Sequence, residues 1–288
     1  MKKEIFFSGD LLDQMTAAFK QKNMEQAEAE AVAIIAELLD CSRNQVRFDR
    51  QMPLTQELYC QAQQIIERRL NDEPWQYIFQ RAYFRDLVLQ VNPAVLIPRP
   101  ETELLVDWCI NILPEHASVL DMGTGSGAIA LSLATERPDL TVTASDISIQ
   151  ALQTAQHNAE CLAPGRVEFI HSDLFAAMPE KQFDVIAANL PYVTENEYAQ
   201  LSREVRDFEP ALALVSGHDG LDLIRRIINE AYEHLTPRGA MILEMSDHQT
   251  ETAAGLLAET CQWRAIEILK DYTQRRRFVT ARKAPETC

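Results

Sequence analysis

The chain has 288 residues, 47% hydrophobic and 24% charged, a globular balance that excludes disordered, collagen-like and membrane-spanning classes. Its 27 Lys and Arg against 43 Asp and Glu leave a formal charge of −16. Non-specific binding to nucleic acid or an anionic membrane needs a basic surface, so neither is expected as a partner.

The N-terminal MKKEIFFSGDLLDQM has two lysines but no sustained apolar stretch, and nowhere do eighteen apolar residues run together, so a cytoplasmic address is expected. From Leu11 to Leu70 the pattern is helical. Ala27, Ala31, Ile34, Ile35 and Leu38 recur at spacings of three and four, as do Leu58, Ala62, Ile65, Ile66 and Leu70. CSRNQVRFDRQMPLT separates the two runs, with Pro53 as a breaker and Thr55 as N-cap of the second. Residues 1–72 are therefore expected to form a small helical-bundle domain. Residues 73–98, aromatic and β-branched and punctuated by Pro93 and Pro98, are expected to be a β-hairpin linker.

Over 99–288, strand and helix patterns alternate. The strand candidates are 118–122, 141–146, 167–173, 183–189, 240–245, 265–271 and 277–281. Such alternation predicts an α/β fold: a Rossmann-like, mostly parallel seven-stranded sheet covered by helices, with the last two strands an antiparallel edge hairpin. Residues 1–85 have a net charge of −2 and the remainder −14, which makes the helical domain the better partner surface. The six cysteines (Cys41, Cys60, Cys109, Cys161, Cys261 and Cys288) show no CxxC and no His at metal-ligand spacing, so no metal site is expected.

In DMGTGSGAIALSLA, Gly123, Gly125 and Gly127 follow an apolar strand and open a helix, where glycines let a ligand approach free backbone N–H groups. Asp146 ends the next strand, nineteen residues after Gly127, placed to accept hydrogen bonds from ribose hydroxyls. That pair points to an adenosine cofactor. The spacing G-x-G-x-G, preceded by Asp121, departs from the dinucleotide G-x-G-x-x-G. It resembles motif I of class I methyltransferases, which implies S-adenosylmethionine rather than NAD and contacts at Gly123, Thr124, Gly125, Ser126 and Gly127. In the same fold Leu174, after HSD, would meet the adenine.

Asn189, Leu190, Pro191 and Tyr192 follow the fourth strand. The tetrapeptide resembles motif IV of methyltransferases that modify amide-like nitrogens: adenine N6, cytosine N4 or a glutamine side chain. Such a nitrogen is a poor nucleophile because its lone pair is delocalised. The Asn189 side-chain oxygen and the Leu190 carbonyl can accept its two hydrogens, Tyr192 can cover the planar group, and Pro191 restrains Leu190 to an extended backbone.

Nearly the whole chain resembles the release factor glutamine methyltransferases, through EPWQYI (73–78), VLIPRPETE (95–103), DMGTGSGAIAL (121–131), ANLPYV (188–193), FEPALAL (208–214), GHDGLD (217–222) and KDYTQRRRFVT (270–280). The resemblance implies methylation of N5 of the glutamine in the Gly-Gly-Gln motif of class I peptide chain release factors, with S-adenosylhomocysteine as second product. It implies cofactor contacts at the glycine loop, Asp146, Leu174 and Asn189, and a substrate glutamine held by Asn189 through Tyr192, of which Asn189, Pro191 and Tyr192 are the catalytic set. Arg99, Pro100, Glu101 and Thr102 match a segment near the cleft. Leu190 replaces the first proline of the usual Asn-Pro-Pro-Tyr. Gln80, Ser246 and Thr273 stand where glycine is usual, and Leu174 where an aromatic is frequent. Two alternatives remain open: an RNA or DNA N6-adenine methyltransferase, which shares the Asn-Leu-Pro-Tyr spelling, and a non-catalytic binding protein on the same fold.

Overall fold

The structure, a computed structural model, describes residues 6–285, so Cys288 lies outside the described residues. The chain divides into two compact units, residues 1–80 and 81–288.

The first unit comprises helices α1 (Ser8–Gln21), α2 (Ala27–Leu39), α3 (Arg43–Phe48), α4 (Gln56–Leu70) and α5 (Trp75–Phe79). The two-residue strands β1 (Phe6–Phe7) and β2 (Pro53–Leu54) pair beside them. Its core is built from the periodic positions, among them Met15, Phe19, Ile34, Ile35 and Ile65. The Thr55 hydroxyl accepts from Leu58 N and starts α4, as the sequence predicts. Two details differ from expectation. The polar break contains α3, set by a Ser42–Gln45 capping box. EPWQYI, read as part of a hairpin, is helical: Pro74 precedes the first turn, and Trp75, Ile78 and Phe79 pack on the helical core.

The second unit opens with an antiparallel hairpin, β3 (Arg81–Phe84) and β4 (Leu87–Gln90), which buries Ala82, Phe84, Leu87 and Leu89 on one face. Then follow α6 (Glu103–Ile112), β5 (Ser118–Met122), α7 (Ala128–Glu136), β6 (Thr141–Asp146), α8 (Ile149–Leu162), β7 (Val167–His171), β8 (Phe183–Ala188), α9 (Glu195–Gln200), α10 (Arg203–Arg206), α11 (Asp222–Glu230), β9 (Leu235–Glu244), α12 (Thr250–Glu259), β10 (Trp263–Lys270) and β11 (Arg276–Lys283). Seven strands form one sheet in the order β10-β11-β9-β8-β5-β6-β7, parallel except at β11. The expected sheet is thus present, with β10 at the edge and β11 inside it.

The central strands read as unbroken apolar runs because both faces are covered. Val119, Val185, Ala187 and Ile242 point to a core shared with α6 and α7. Their neighbours Leu120, Ile186, Ala188 and Leu243 point to the opposite core, with α11 and α12. Helix α11 shows the matching helical period, with Ile224, Ile227 and Ile228 buried. The third predicted strand ends early, at His171, so Asp173 and Leu174 lie in the turn beyond it. Asn189 likewise stands one residue past β8.

The unusual glycine replacements differ in consequence. Gln80 takes a left-handed conformation (φ 55°) after α5, where glycine would relieve strain. Ser246 (φ −68°) needs no glycine and forms a capping box with Gln249. Thr273 donates its N–H and hydroxyl to Asp271 Oδ1 (2.8 and 2.7 Å), while Gln274 takes the positive φ of the turn.

Candidate active site

In the sheet order the chain reverses direction about β5, whose neighbours are β6 on one side and β8 on the other. A ligand crevice is expected beyond the carboxyl ends of strands at such a switch point. A cavity of about 580 Å³ lies there, in the size range of small-molecule sites.

The loop after β5 forms one wall. Gly123, Gly125 and Gly127 all have positive φ (74°, 56° and 88°). A Cβ on Gly125 would meet nothing within 4 Å, so this residue faces open space, whereas one on Gly123 would lie 2.9 Å from Leu190 Cδ2. The loop is held from behind by Asp121, whose Oδ2 accepts from the Thr124 hydroxyl (2.6 Å) and from Ala130 N (3.0 Å). Burial pushes the Asp121 carboxyl up to about 7 despite those hydrogen bonds. Asp121 thus shapes the loop and does not line the cavity.

Asp146, at the end of β6, does line it. Its Oδ2 accepts from Gly125 N (2.9 Å) and its Oδ1 from Ser148 N (2.8 Å), so one carboxylate joins two loops. Each oxygen retains a lone pair for a further donor. Leu174 and Ile147 add apolar wall nearby, Leu174 almost fully buried and itself left-handed (φ 46°).

On the other side stand Asn189, Leu190 and Pro191. Asn189 Nδ2 donates to the Thr102 hydroxyl oxygen (3.1 Å). Leu190 is buried, so the replacement of proline by leucine is absorbed by apolar packing over Gly123. Tyr192 leaves the strand end with its backbone oxygen held by Gln249 Nε2 (2.8 Å), and Gln249 also donates to Asp219 O (3.2 Å). Burial, with the Glu244 charge, pushes the Tyr192 hydroxyl up to about 12, so it stays protonated at neutral pH.

The rim joins two distant blocks. Arg99 of VLIPRPETE pairs with Glu209 of FEPALAL (2.5 Å), and Glu209 also accepts from Ile97 N (3.1 Å). Burial pushes the Glu209 carboxyl up against the pull of Arg99.

Gly123, Thr124, Gly125, Ser126, Asp146, Leu174, Asn189, Leu190 and Pro191 thus surround one cavity, while Gly127 turns the chain into α7 and Tyr192 lies just behind. Three supporting residues have no such role in the sequence reading. Glu244 ends β9, Gln249 grips the Tyr192 carbonyl, and Gly220 (φ 73°) sits so close that a Cβ would fall 2.1 Å from that carbonyl oxygen. A carboxylate closing an apolar strand, as in AMILE, is the available signal for Glu244.

The donor set suits an adenosine ligand: an apolar wall for a base, a carboxylate with spare lone pairs for hydroxyls, and an open glycine loop that admits close approach. A cleft of this kind, at the switch point of a mainly parallel sheet and beside an amide whose donor end is already occupied, is that of a Rossmann-like methyltransferase. Comparisons with known proteins place it more narrowly. Residues 101–206 match the methyltransferase small domain and residues 10–79 the PrmC N-terminal domain. The release factor glutamine methyltransferase of Koribacter versatilis is 39% identical over 272 residues, covering 91% of this chain and 95% of that protein. The enzyme of that name from Neisseria gonorrhoeae is 45% identical over 217 residues, covering 75% and 78%. Among solved structures, a methyltransferase from Pyrococcus furiosus shares the fold with a TM-score of 0.54 at 18% identity, covering 76% of this chain and 97% of that one. The chain belongs to the release factor glutamine methyltransferase family.

Proposed function

We propose that the protein transfers a methyl group from S-adenosylmethionine to N5 of the glutamine in the Gly-Gly-Gln motif of a class I peptide chain release factor, leaving S-adenosylhomocysteine. The observation that carries this reading is the Asn189 amide: with Nδ2 given to Thr102, its Oδ1 is the end left to accept a hydrogen from a planar substrate amide. The relatives' names supply the acceptor.

In this reading Asp146 accepts the ribose hydroxyls, the backbone of Gly123 to Gly127 lies along the amino-acid part of the cofactor, and Leu174 packs on the base. When bound, S-adenosylmethionine supplies an electrophilic methyl on a positively charged sulfur. Asn189 Oδ1 and the Leu190 carbonyl accept the two hydrogens of the glutamine amide and so concentrate electron density on N5. Pro191 and Tyr192 hold that amide in plane. The nitrogen becomes strongly acidic as its bond to the methyl carbon forms, and gives up a proton without a dedicated base. The main contribution of the protein is then positioning and preorganised polarity.

The same reading assigns residues 1–72 to partner docking, with 73–98 as linker and 99–288 as the methyltransferase domain. The near-neutral N-terminal charge beside the strongly acidic remainder supports that division. It also places the protein in the cytoplasm with its substrate; among the described residues no helix is long and apolar enough to cross a membrane. The test is methyl transfer from labelled S-adenosylmethionine to purified release factor, with ribosomal RNA as a parallel acceptor. Label on the factor alone is expected, and label on RNA alone would replace this reading with adenine methylation.

A further inference from the structure

Asn158, on α8, is 3% exposed and uses its whole amide. One Nδ2 hydrogen goes to Ser126 O (2.9 Å) in the glycine loop and the other to Gln90 O (2.9 Å), while Oδ1 accepts from Gln90 N (2.8 Å). A backbone N–H only donates and a carbonyl only accepts, so a single orientation of this amide satisfies all three groups. Gln90 is the last residue of β4. From there the chain runs through Pro93, Ala94 and Val95, which line the cavity, to Arg99 and its ion pair with Glu209. One side chain thus holds both the glycine loop and the start of the segment that walls the rest of the cleft.

The helix that carries Asn158 lies tightly against the loop. A Cβ on Gly127 would stand 3.3 Å from the Cβ of Ala155, three residues before Asn158. The same helix holds the segment after β4 a second time, where Asn92 Nδ2 donates to the Thr154 hydroxyl oxygen (3.0 Å). That bond does not reach the glycine loop. Anchoring the segment on α8 is therefore a task that Thr154 shares, whereas Asn158 alone of the two also grips Ser126. Because the amide is planar and rigid, a displacement of Ser126 O tilts the same plane that Gln90 N and Gln90 O share. Loss of the amide would take a partner from all three backbone groups at once.

We propose that Asn158 is a positioning residue that couples the glycine loop to the cavity-lining segment 90–99, so that a ligand fixing the loop also fixes the wall that meets the release factor. The inference rests on the reading of the loop as the S-adenosylmethionine site and of the protein as a release factor methyltransferase. Coupling of this kind is reciprocal: cofactor and release factor each tighten the binding of the other by the same factor.

The test uses S-adenosylhomocysteine, which binds without turnover, and calorimetry on wild type, Asn158→Asp and Thr154→Val, each with and without saturating release factor. In wild type, release factor should tighten S-adenosylhomocysteine binding by about fivefold or more. Asn158→Asp keeps the shape and the acceptor for Gln90 N but turns an acceptor towards Ser126 O. Binding without release factor should weaken by about tenfold, and the enhancement by release factor should vanish. Thr154→Val breaks only the bond to Asn92, so it should lower the unfolding temperature while leaving both affinity and enhancement as in wild type. Hydrogen exchange of the Gln90 N–H in wild type, without release factor, should slow by about fivefold or more when S-adenosylhomocysteine is added. Unaltered binding in Asn158→Asp, the same loss in Thr154→Val, or Gln90 exchange indifferent to the ligand would each overturn the inference. Slowed Gln90 exchange with no binding of release factor would leave the coupling standing and remove the proposed function instead. Should Asn158→Asp fail to fold, the wild-type exchange still decides.

Discussion

Asn189 and Thr102 are 87 residues apart in sequence, yet Asn189 Nδ2 donates to Thr102 Oγ1 at 3.1 Å. The donor end of the amide is thereby used within the protein and the acceptor end is kept for the cleft. Asn189→Ala removes that acceptor. Turnover should fall by roughly a hundredfold, as for loss of one preorganised polar group, while cofactor affinity changes little. Steady-state kinetics beside calorimetry separates the two, and unchanged turnover would remove the assigned role.

Asp146 has a different signature because its carboxylate joins the Gly125 and Ser148 backbones while facing the cavity. Asp146→Ala should weaken S-adenosylmethionine binding by about tenfold or more, the scale of a charge-assisted hydrogen bond. At saturating cofactor, kcat should stay close to wild type. Equal affinity in calorimetry would contradict the ribose assignment.

The glycine loop, Asp146 and the Asn-Leu-Pro-Tyr turn are legible in the sequence because each is a local pattern attached to a strand end. The strands themselves are legible because apolar runs such as VLDM and VIAA fit only a sheet covered on both faces. The support behind the site is not legible. Glu244 and Gln249 come beside Asn189 and Tyr192 only through the sheet order and the fold of distant loops, and Thr102, whose segment the resemblance puts near the cleft, shows its bond to Asn189 only in the folded chain; no spacing encodes these contacts. The helix at 75–79 also escapes, since five residues are too few for a period to separate helix from strand.

Gly220 belongs to that hidden support. Gly220→Ala would force a Cβ into the Tyr192 carbonyl at positive φ, so it should cost about 1–3 kcal/mol of stability and lower turnover together. Gly165→Ala is the control: its φ is similar (70°) but the space is open, so about 1 kcal/mol of strain and wild-type turnover are expected. Thermal unfolding and kinetics on both variants check this, and equal turnover in the two would contradict it.

Glu244 carries a pH signature. Its carboxyl sits at about 7 in the folded protein, against an ordinary value of 4.5. The folded state holds this proton more tightly than the unfolded chain, so the contribution of Glu244 to stability is present at low pH and is lost as pH rises from about 4.5 to about 7. Glu244→Gln does not titrate. The stability of that variant relative to wild type should therefore rise across this window, by up to about 3 kcal/mol, and stay level above it. Urea unfolding at pH 5 and pH 8 reads the difference; a gap that is the same at both would contradict the buried-carboxylate account.

The central claim is that the cleft beside Asn189 methylates a glutamine amide. The most direct measurement is mass spectrometry of the Gly-Gly-Gln peptide from release factor after incubation with the protein and S-adenosylmethionine, run in parallel on a factor whose motif glutamine is replaced. One added methyl on that glutamine, absent from the replaced factor and strongly reduced with Asn189→Ala, is the expected result. An unmodified peptide, or a methyl on another residue, would contradict the account.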